Sequence, residues 1–129
     1  MLSMKGLEQC IFCHLSRGDI ILENDAFVAI YDRLPVSEGH LLIIPKFHVE
    51  HYFHLDAIYR EQLWSLIDEA KCLLDTEFQP DGFNIGMNIG EVAGQSVMHL
   101  HVHLIPRYRG DMRDPKGGVR GVIPGKQNY

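Results

Sequence analysis

The chain has 129 residues, 46% of them hydrophobic and 22% charged, and a formal net charge of −5. That length predicts one domain with a self-sufficient core, and no apolar run reaches the roughly 18 residues a membrane span needs. The negative balance argues against broad binding to nucleic acid, which depends on neutralising phosphates with many lysines and arginines. The opening stretch MLSMKGLEQC lacks an apolar segment of signal-peptide length and the three cysteines are an odd number, so a reducing, cytoplasmic location is expected.

In chain order the first motif is CIFCH, residues 10–14. Its spacing matches covalent haem attachment, but that chemistry belongs outside the cytosol. A redox Cys-x-x-Cys pair usually stands between a strand and a helix, and here the motif opens the chain. The third reading is a knuckle that gives two thiolates to a structural zinc and needs two further ligands. Next, DIILENDAFVAIYD predicts two strands joined at Glu23-Asn24-Asp25, the second covering about Ala26 to Tyr31. GHLLIIPK is apolar throughout, as in a buried central strand, and ends at Pro45.

After HVEHYFHL comes a helix, with Asp56 as its cap and Ile58, Leu63, Leu66, Ile67, Ala70, Leu73 and Leu74 at three-four spacing, stopping before Pro80. Tyr59 and Trp64 read as packing residues of this helix and Cys72 as a small buried hydrophobe. GFNIGMNI resumes two-residue alternation, and the glycine-rich turn GEVAGQ leads into GQSVMHLHVHLIPR. Five strands with one long helix between the third and fourth predict an α+β domain on a mainly antiparallel sheet. The ending, residues 109–129, has no sustained period and is expected to be extended, packed on the domain of residues 1–108 or on a second subunit. The basic residues Arg107, Arg109, Arg113, Lys116, Arg120 and Lys126 read either as a solvated tail or as an aid in holding an anionic substrate or partner.

His99, His101 and His103 alternate with Leu100, Val102 and Leu104, so the apolar side chains enter the core and the imidazoles share the opposite face. Along a strand, residues two apart are about 6.6 Å apart and residues four apart about 13 Å. Ligands of one zinc lie about 2 Å from the ion. His99 and His103 therefore do not share a metal, and the three histidines divide between at least two roles. With the Cys10–Cys13 knuckle, the candidates for the two missing ligands are His99 and His48; His51 or His54 could replace His48.

HLHVHLI resembles the signature of the histidine triad (HIT) family of nucleotide hydrolases and transferases. CIFC, AIYDRLPVSEGHLLIIPKFH and NIGMNIGEVAGQSVMHLHVHLIPRY are similar to that family in order and spacing. The resemblance implies a five-stranded antiparallel sheet with one long helix and a short one, joined to a second sheet across a homodimer. It implies a nucleotide substrate, most simply of adenosine type, attacked at its α-phosphorus by His101 to give a nucleotidyl-histidine intermediate that water hydrolyses. The alternatives are a phosphorylase, in which inorganic phosphate replaces water, and a regulatory nucleotide-binding module. By the family's pattern His103 contacts the phosphate or the bridging atom, His40 is a hydrogen-bonding partner of the cluster, and Ser96 lies near the leaving group.

The same resemblance assigns phosphate contacts to Asn88 and Gln95 and ribose contacts to Asp32, and makes Ile11, Phe12, Leu15 and Ile30 the base pocket. Gly90 and Gly94 are expected to let main-chain N–H groups approach an anion. Members with the early cysteine pair imply structural zinc on Cys10, Cys13, His48 and His99. The tail after IPRY is similar to bacterial relatives grouped with the diadenosine polyphosphate hydrolases, which suggests a dinucleoside polyphosphate or another adenylylated compound as substrate.

Overall fold

The computed structural model describes residues 8–129. The part of the opening stretch before residue 8, on which the expected lack of a leader and the start of the predicted domain rest, lies outside the described residues. Strands β1 (Ile20–Glu23), β2 (Phe27–Tyr31) and β3 (Leu41–Pro45) precede helix α1 (Ala57–Phe78), and β4 (Gly82–Gly86) and β5 (Val102–Arg107) follow it. The five strands form one sheet in the order β1-β2-β3-β5-β4, each pair antiparallel. β1 and β2 turn at Asn24, whose side-chain oxygen accepts from Ala26 N at 3.2 Å and Phe27 N at 2.9 Å. Such a local bond offers the backbone a turn in place of a continued strand.

One face of the sheet meets α1. Leu63, Leu66, Ile67, Ala70 and Leu74 are buried there against Phe27, Ala29, Leu41, Ile43, Val102 and Leu104. Burying each large apolar side chain contributes roughly 1.5–3 kcal/mol. Val28, Ile30, Leu42 and Ile44 are buried on the opposite face, with Phe12, Leu15 and Ile20 packed over them. β2 and β3 are apolar on both faces because the helix covers one and the chain around residues 12–20 covers the other. None of the helices among the described residues is long and apolar enough to cross a membrane.

Four details of the sequence reading change. Asp56 does precede the helix, but its side chain makes no capping bond; the adjacent turn is tied instead by Arg60, which donates to the carbonyls of Leu55 at 3.0 Å and Tyr52 at 3.3 Å. Ile58 and Cys72 are exposed, because they stand about four turns apart on the outward side of α1. Trp64 is also largely exposed, whereas Tyr59 packs on the core as expected. The tail is a folded-back coil and not an extended segment. Lys116 Nζ donates to the Tyr129 carbonyl at 3.0 Å, and Lys116 and Arg120 lie 4.7 and 4.8 Å from the Tyr129 ring centre. Part of the tail's positive charge is thereby engaged within the tail itself.

Gly39 sits just before β3 with φ +87, and a Cβ there would lie 3.0 Å from Phe78 Cδ2 and 3.3 Å from Leu74 Cδ2. Only glycine adopts this conformation without strain, and the space is closed by the end of α1. Gly39→Ala is expected to destabilise the fold by about 1–3 kcal/mol, read as a lowered urea midpoint at unchanged slope.

Candidate functional site

The site lies on the sheet face away from α1. β5 pairs with β3 through Val102↔Ile43, His103↔Leu42 and Leu104↔Leu41, and the ladder stops there. The strand is therefore shorter than the histidine triplet predicts, although the alternation continues, with Leu100 and Val102 buried in the core. The ladder ends because its next groups bond elsewhere. Leu100 N donates to the Val49 carbonyl at 2.8 Å, and the His99 carbonyl lies 2.9 Å from His101 Nδ1.

Each triad ring is held in one tautomer by its neighbours, His101 in one and His99 and His103 in the other. A carbonyl only accepts, so His101 carries its proton on Nδ1 and keeps the Nε2 lone pair for another partner. His99, fully buried, points Nε2 at the Pro45 carbonyl, 3.0 Å away, and so presents the lone pair of Nδ1. His103 is set by a longer chain. Val36 N donates to His40 Nδ1 at 3.1 Å, which places the His40 proton on Nε2, 2.9 Å from His103 Nδ1. His103 Nδ1 therefore accepts, and His103 Nε2–H remains as a donor beside the His101 ring, whose centre is 5.3 Å away.

Burial, first of all, pushes both His40 and His103 below the ordinary histidine value of 6.5, with Asp32 pulling in the opposite direction. Native His40 and His103 thus resist a proton that the unfolded chain accepts below pH 6.5. Their contribution is fully present above that pH and is lost as pH falls below it. Stability is expected to drop as pH falls below 6.5 in chemical denaturation, and to drop less steeply in His40→Asn.

His99 Nδ1 faces a second cluster. It lies 3.3 Å from Cys10 Sγ, 3.5 Å from Cys13 Sγ and 3.2 Å from His48 Nδ1, and Cys13 Sγ is 3.3 Å from His48 Nδ1. Burial, followed by the neighbouring Cys10, pushes the Cys13 thiol up to about 11, while burial drives His99 down to about 4. Two crowded thiols and two imidazoles form a donor set that a divalent cation suits, since its charge would let the thiols ionise. The Pro45 carbonyl on His99 Nε2 is the outer bond that a ligating histidine normally makes. His51 and His54 stack on each other with ring centres 3.9 Å apart, and His48 is the one that joins the cysteines.

Asp32, His40 and His103 also offer ligand atoms within 4.8 Å of one another. They do not suit a metal. His40 Nδ1 already accepts from Val36 N, so its Nε2 must keep a proton and has no lone pair to give. His40 and His103 belong to a hydrogen-bonded chain that starts at Val36 N, and Asp32 Oδ2 stands beside it as a nearby charge, 3.5 Å from His40 Nε2 and 4.0 Å from His103 Nδ1.

The glycine loop behaves differently from its sequence reading. Gly90 and Gly94 both have positive φ, +92 and +97, but Gly94 N donates to Glu91 O at 2.9 Å and Gly90 N to Gln95 Oε1 at 2.9 Å. Gln95, buried, also donates to Glu50 O at 2.8 Å and Val97 O at 3.1 Å. Gln95 and the Gly90 and Gly94 amides thus all make hydrogen bonds that fix the loop's own shape. Asn88 and Ser96 are exposed, and Ser96 lines a cleft of about 370 Å³ with Ile11, Cys10 and His48. Of the expected base-pocket residues, Phe12, Leu15 and Ile30 come together on the apolar sheet face, whereas Ile11 is 62% exposed and belongs to that cleft. The sequence reading missed Val28, Leu42 and Ile44 as the floor of this face. The double-sided apolarity of β2 and β3 was the available signal.

A five-stranded antiparallel sheet carrying three alternating histidines, the middle one alone protonated on Nδ1, defines a histidine triad site. The chain belongs to the HIT domain family, whose model matches residues 16–110. It is 39% identical over 113 residues to Protein hit of Bacillus subtilis, covering 84% of this chain and 78% of that one. The crystal structure of a HIT family protein from Bacillus anthracis superposes with a TM-score of 0.75 at 37% identity, over 81% of this chain and 77% of that one. A zinc-bound histidine triad family protein from Mycobacterium smegmatis gives 0.68 at 31% identity, over 85% and 86%. Two relatives carry named activities. The adenylylsulfatase HINT3 of Arabidopsis thaliana is 33% identical over 79% of this chain and 54% of its own length. The AP-4-A phosphorylase of Mycobacterium tuberculosis is 32% identical over 73% of this chain and 49% of its own.

Proposed function

We propose that the protein is a nucleotidyl hydrolase that attacks the α-phosphorus of a dinucleoside polyphosphate or a related adenylylated compound. The observation that carries this reading is the bond from His101 Nδ1 to the His99 carbonyl, which leaves Nε2 as an outward lone pair. A neutral imidazole so held is a good nucleophile toward phosphorus. Its Nε2 forms an N–P bond as the P–O bond to the leaving group breaks. The leaving oxygen takes a proton from His103 Nε2–H or the Ser96 hydroxyl. Water then displaces the imidazole from phosphorus in the second step, regenerating His101 and returning the proton. Two in-line displacements retain the configuration at phosphorus.

The nucleoside lies over Phe12, Leu15 and Ile30, with the ribose hydroxyls on Asp32 Oδ2; Asp32 Oδ1 already accepts from Leu34 N at 2.9 Å. Asn88 supplies an amide to the phosphate oxygens. Gln95 and Gly94 act one step back, by shaping the loop that carries Ser96. Cys10, Cys13, His48 and His99 hold zinc, a reading supported by the zinc-bound Mycobacterium smegmatis relative, and the ion is structural. A homodimer is supported by β4, an edge strand whose outer side has no strand partner among the described residues.

The AP-4-A phosphorylase relative favours a second reading, in which inorganic phosphate accepts the nucleotidyl group. The deciding experiment offers diadenosine tri- and tetraphosphate, an adenosine phosphoramidate, adenylyl-lysine and adenosine phosphosulfate, labelled at the α-phosphorus, with and without inorganic phosphate. An acid-labile label on His101 during turnover is expected. Release of AMP without phosphate identifies the hydrolase, and ADP formed only with phosphate identifies the phosphorylase. Tight AMP binding with no turnover of any compound overturns both.

A further inference from the structure

Phe12 stands between the two cysteines of the knuckle, yet its ring faces the triad. Its centre is 5.9 Å from that of His99 at an interplanar angle of 78° and 5.0 Å from that of His101 at 56°. It also packs on the apolar cluster of Val28, Ile30, Leu42 and Ile44. Residues 11–13 form a single 3-10 turn, so the backbone that aims Cys10 and Cys13 at His99 also aims Phe12 at His101. The nucleophile thus meets the knuckle twice, once through the His99 carbonyl and once through this ring.

We propose that Phe12 is a positioning residue for the nucleophile. It fixes the plane of the His101 imidazole so that Nδ1–H stays on the His99 carbonyl and the Nε2 lone pair keeps its direction. The physical need is clear. A single hydrogen bond at Nδ1 leaves the ring free to rock about that contact, and a mis-aimed lone pair loses the alignment that in-line attack requires. An apolar ring tilted against the imidazole at 56° limits that freedom and offers no competing acceptor for the Nδ1 proton. If Phe12 were a wall of the base pocket and nothing more, its loss would affect nucleotide binding alone. A positioning residue acts on the chemical step.

The inference rests on His101 as the nucleophile, and the test separates the two. Phe12→Ala, Phe12→Leu and Phe12→Tyr are prepared as the full chain with metal content measured, and each is examined for kcat, KM, AMP affinity and the nitrogen-proton couplings of the His101 ring by NMR. The ring spectrum needs no substrate. In Phe12→Ala and Phe12→Leu, kcat is expected to fall about tenfold or more at unchanged metal content, with the His101 signals shifting from one tautomer toward a mixture. Phe12→Tyr is expected to restore both. A raised KM with kcat and the ring spectrum unchanged overturns the proposal and makes Phe12 a pocket wall. Full turnover in His101→Ala removes the proposed reaction, while the ring spectrum of the Phe12 variants still decides the contact.

Discussion

His101→Ala is expected to lower kcat by about 1000-fold or more while leaving the thermal midpoint and the affinity for AMP nearly unchanged. His101 is only half-buried, so removing its ring opens no cavity in the core beneath α1. The His99 carbonyl loses a donor but regains access to water. The loss therefore falls on the reaction, because the Nε2 lone pair of His101 goes with the ring. His103 cannot substitute, since its Nδ1 accepts from His40 and its Nε2 carries the proton. Turnover at the original rate in this variant, measured against a substrate the parent protein cleaves, would remove the nucleophile assignment.

The second large effect is expected on stability. Cys10 and Cys13 flank the early turn, His48 follows β3, and His99 precedes β5, so one ion would clip three distant parts of the chain. Treatment with a strong chelator, or Cys10→Ser, is expected to remove about 3–4 kcal/mol, the linkage expected of an ion present far above its dissociation constant. Calorimetry should read this as a melting point lowered by about 10 °C. The effect should not simply add to that of Cys13→Ser, because the second substitution acts on a group already broken. Chelation that leaves the melting curve unmoved would show that the four residues need no ion.

The elements were legible where one physical pattern dominated. The apolar run from Leu41 to Pro45 could only be a covered strand, and the spacing from Leu63 to Leu74 could only be a helix lying on a core. The triplet was legible as a shared face, yet the end of the strand was not. Whether His99 or His101 continues the ladder depends on which acceptor Leu100 N finds, and Val49 is fifty residues away. The roles of Gly94 and Gln95 were hidden for a related reason. A glycine in a turn can offer its amide outward or need positive φ, and one chain of letters does not separate the two. Ile11 and Phe12 part company because a 3-10 turn sends adjacent side chains in different directions: Phe12 packs on the sheet face and Ile11 lines the cleft beside Ser96. Asp56 was legible as the residue that opens the helix, but not that its side chain would make no capping bond.

The relay that orients His103 begins at Val36 N, a main-chain group. Its donor is therefore common to nineteen of the twenty amino acids, and proline alone would withdraw it. The side chain at position 36, which is largely exposed, is free to drift in evolution without disturbing the direction in which hydrogen bonds are donated inward. The polarity of this chain of bonds is thus written in the peptide bond, where substitution of side chains cannot easily erase it.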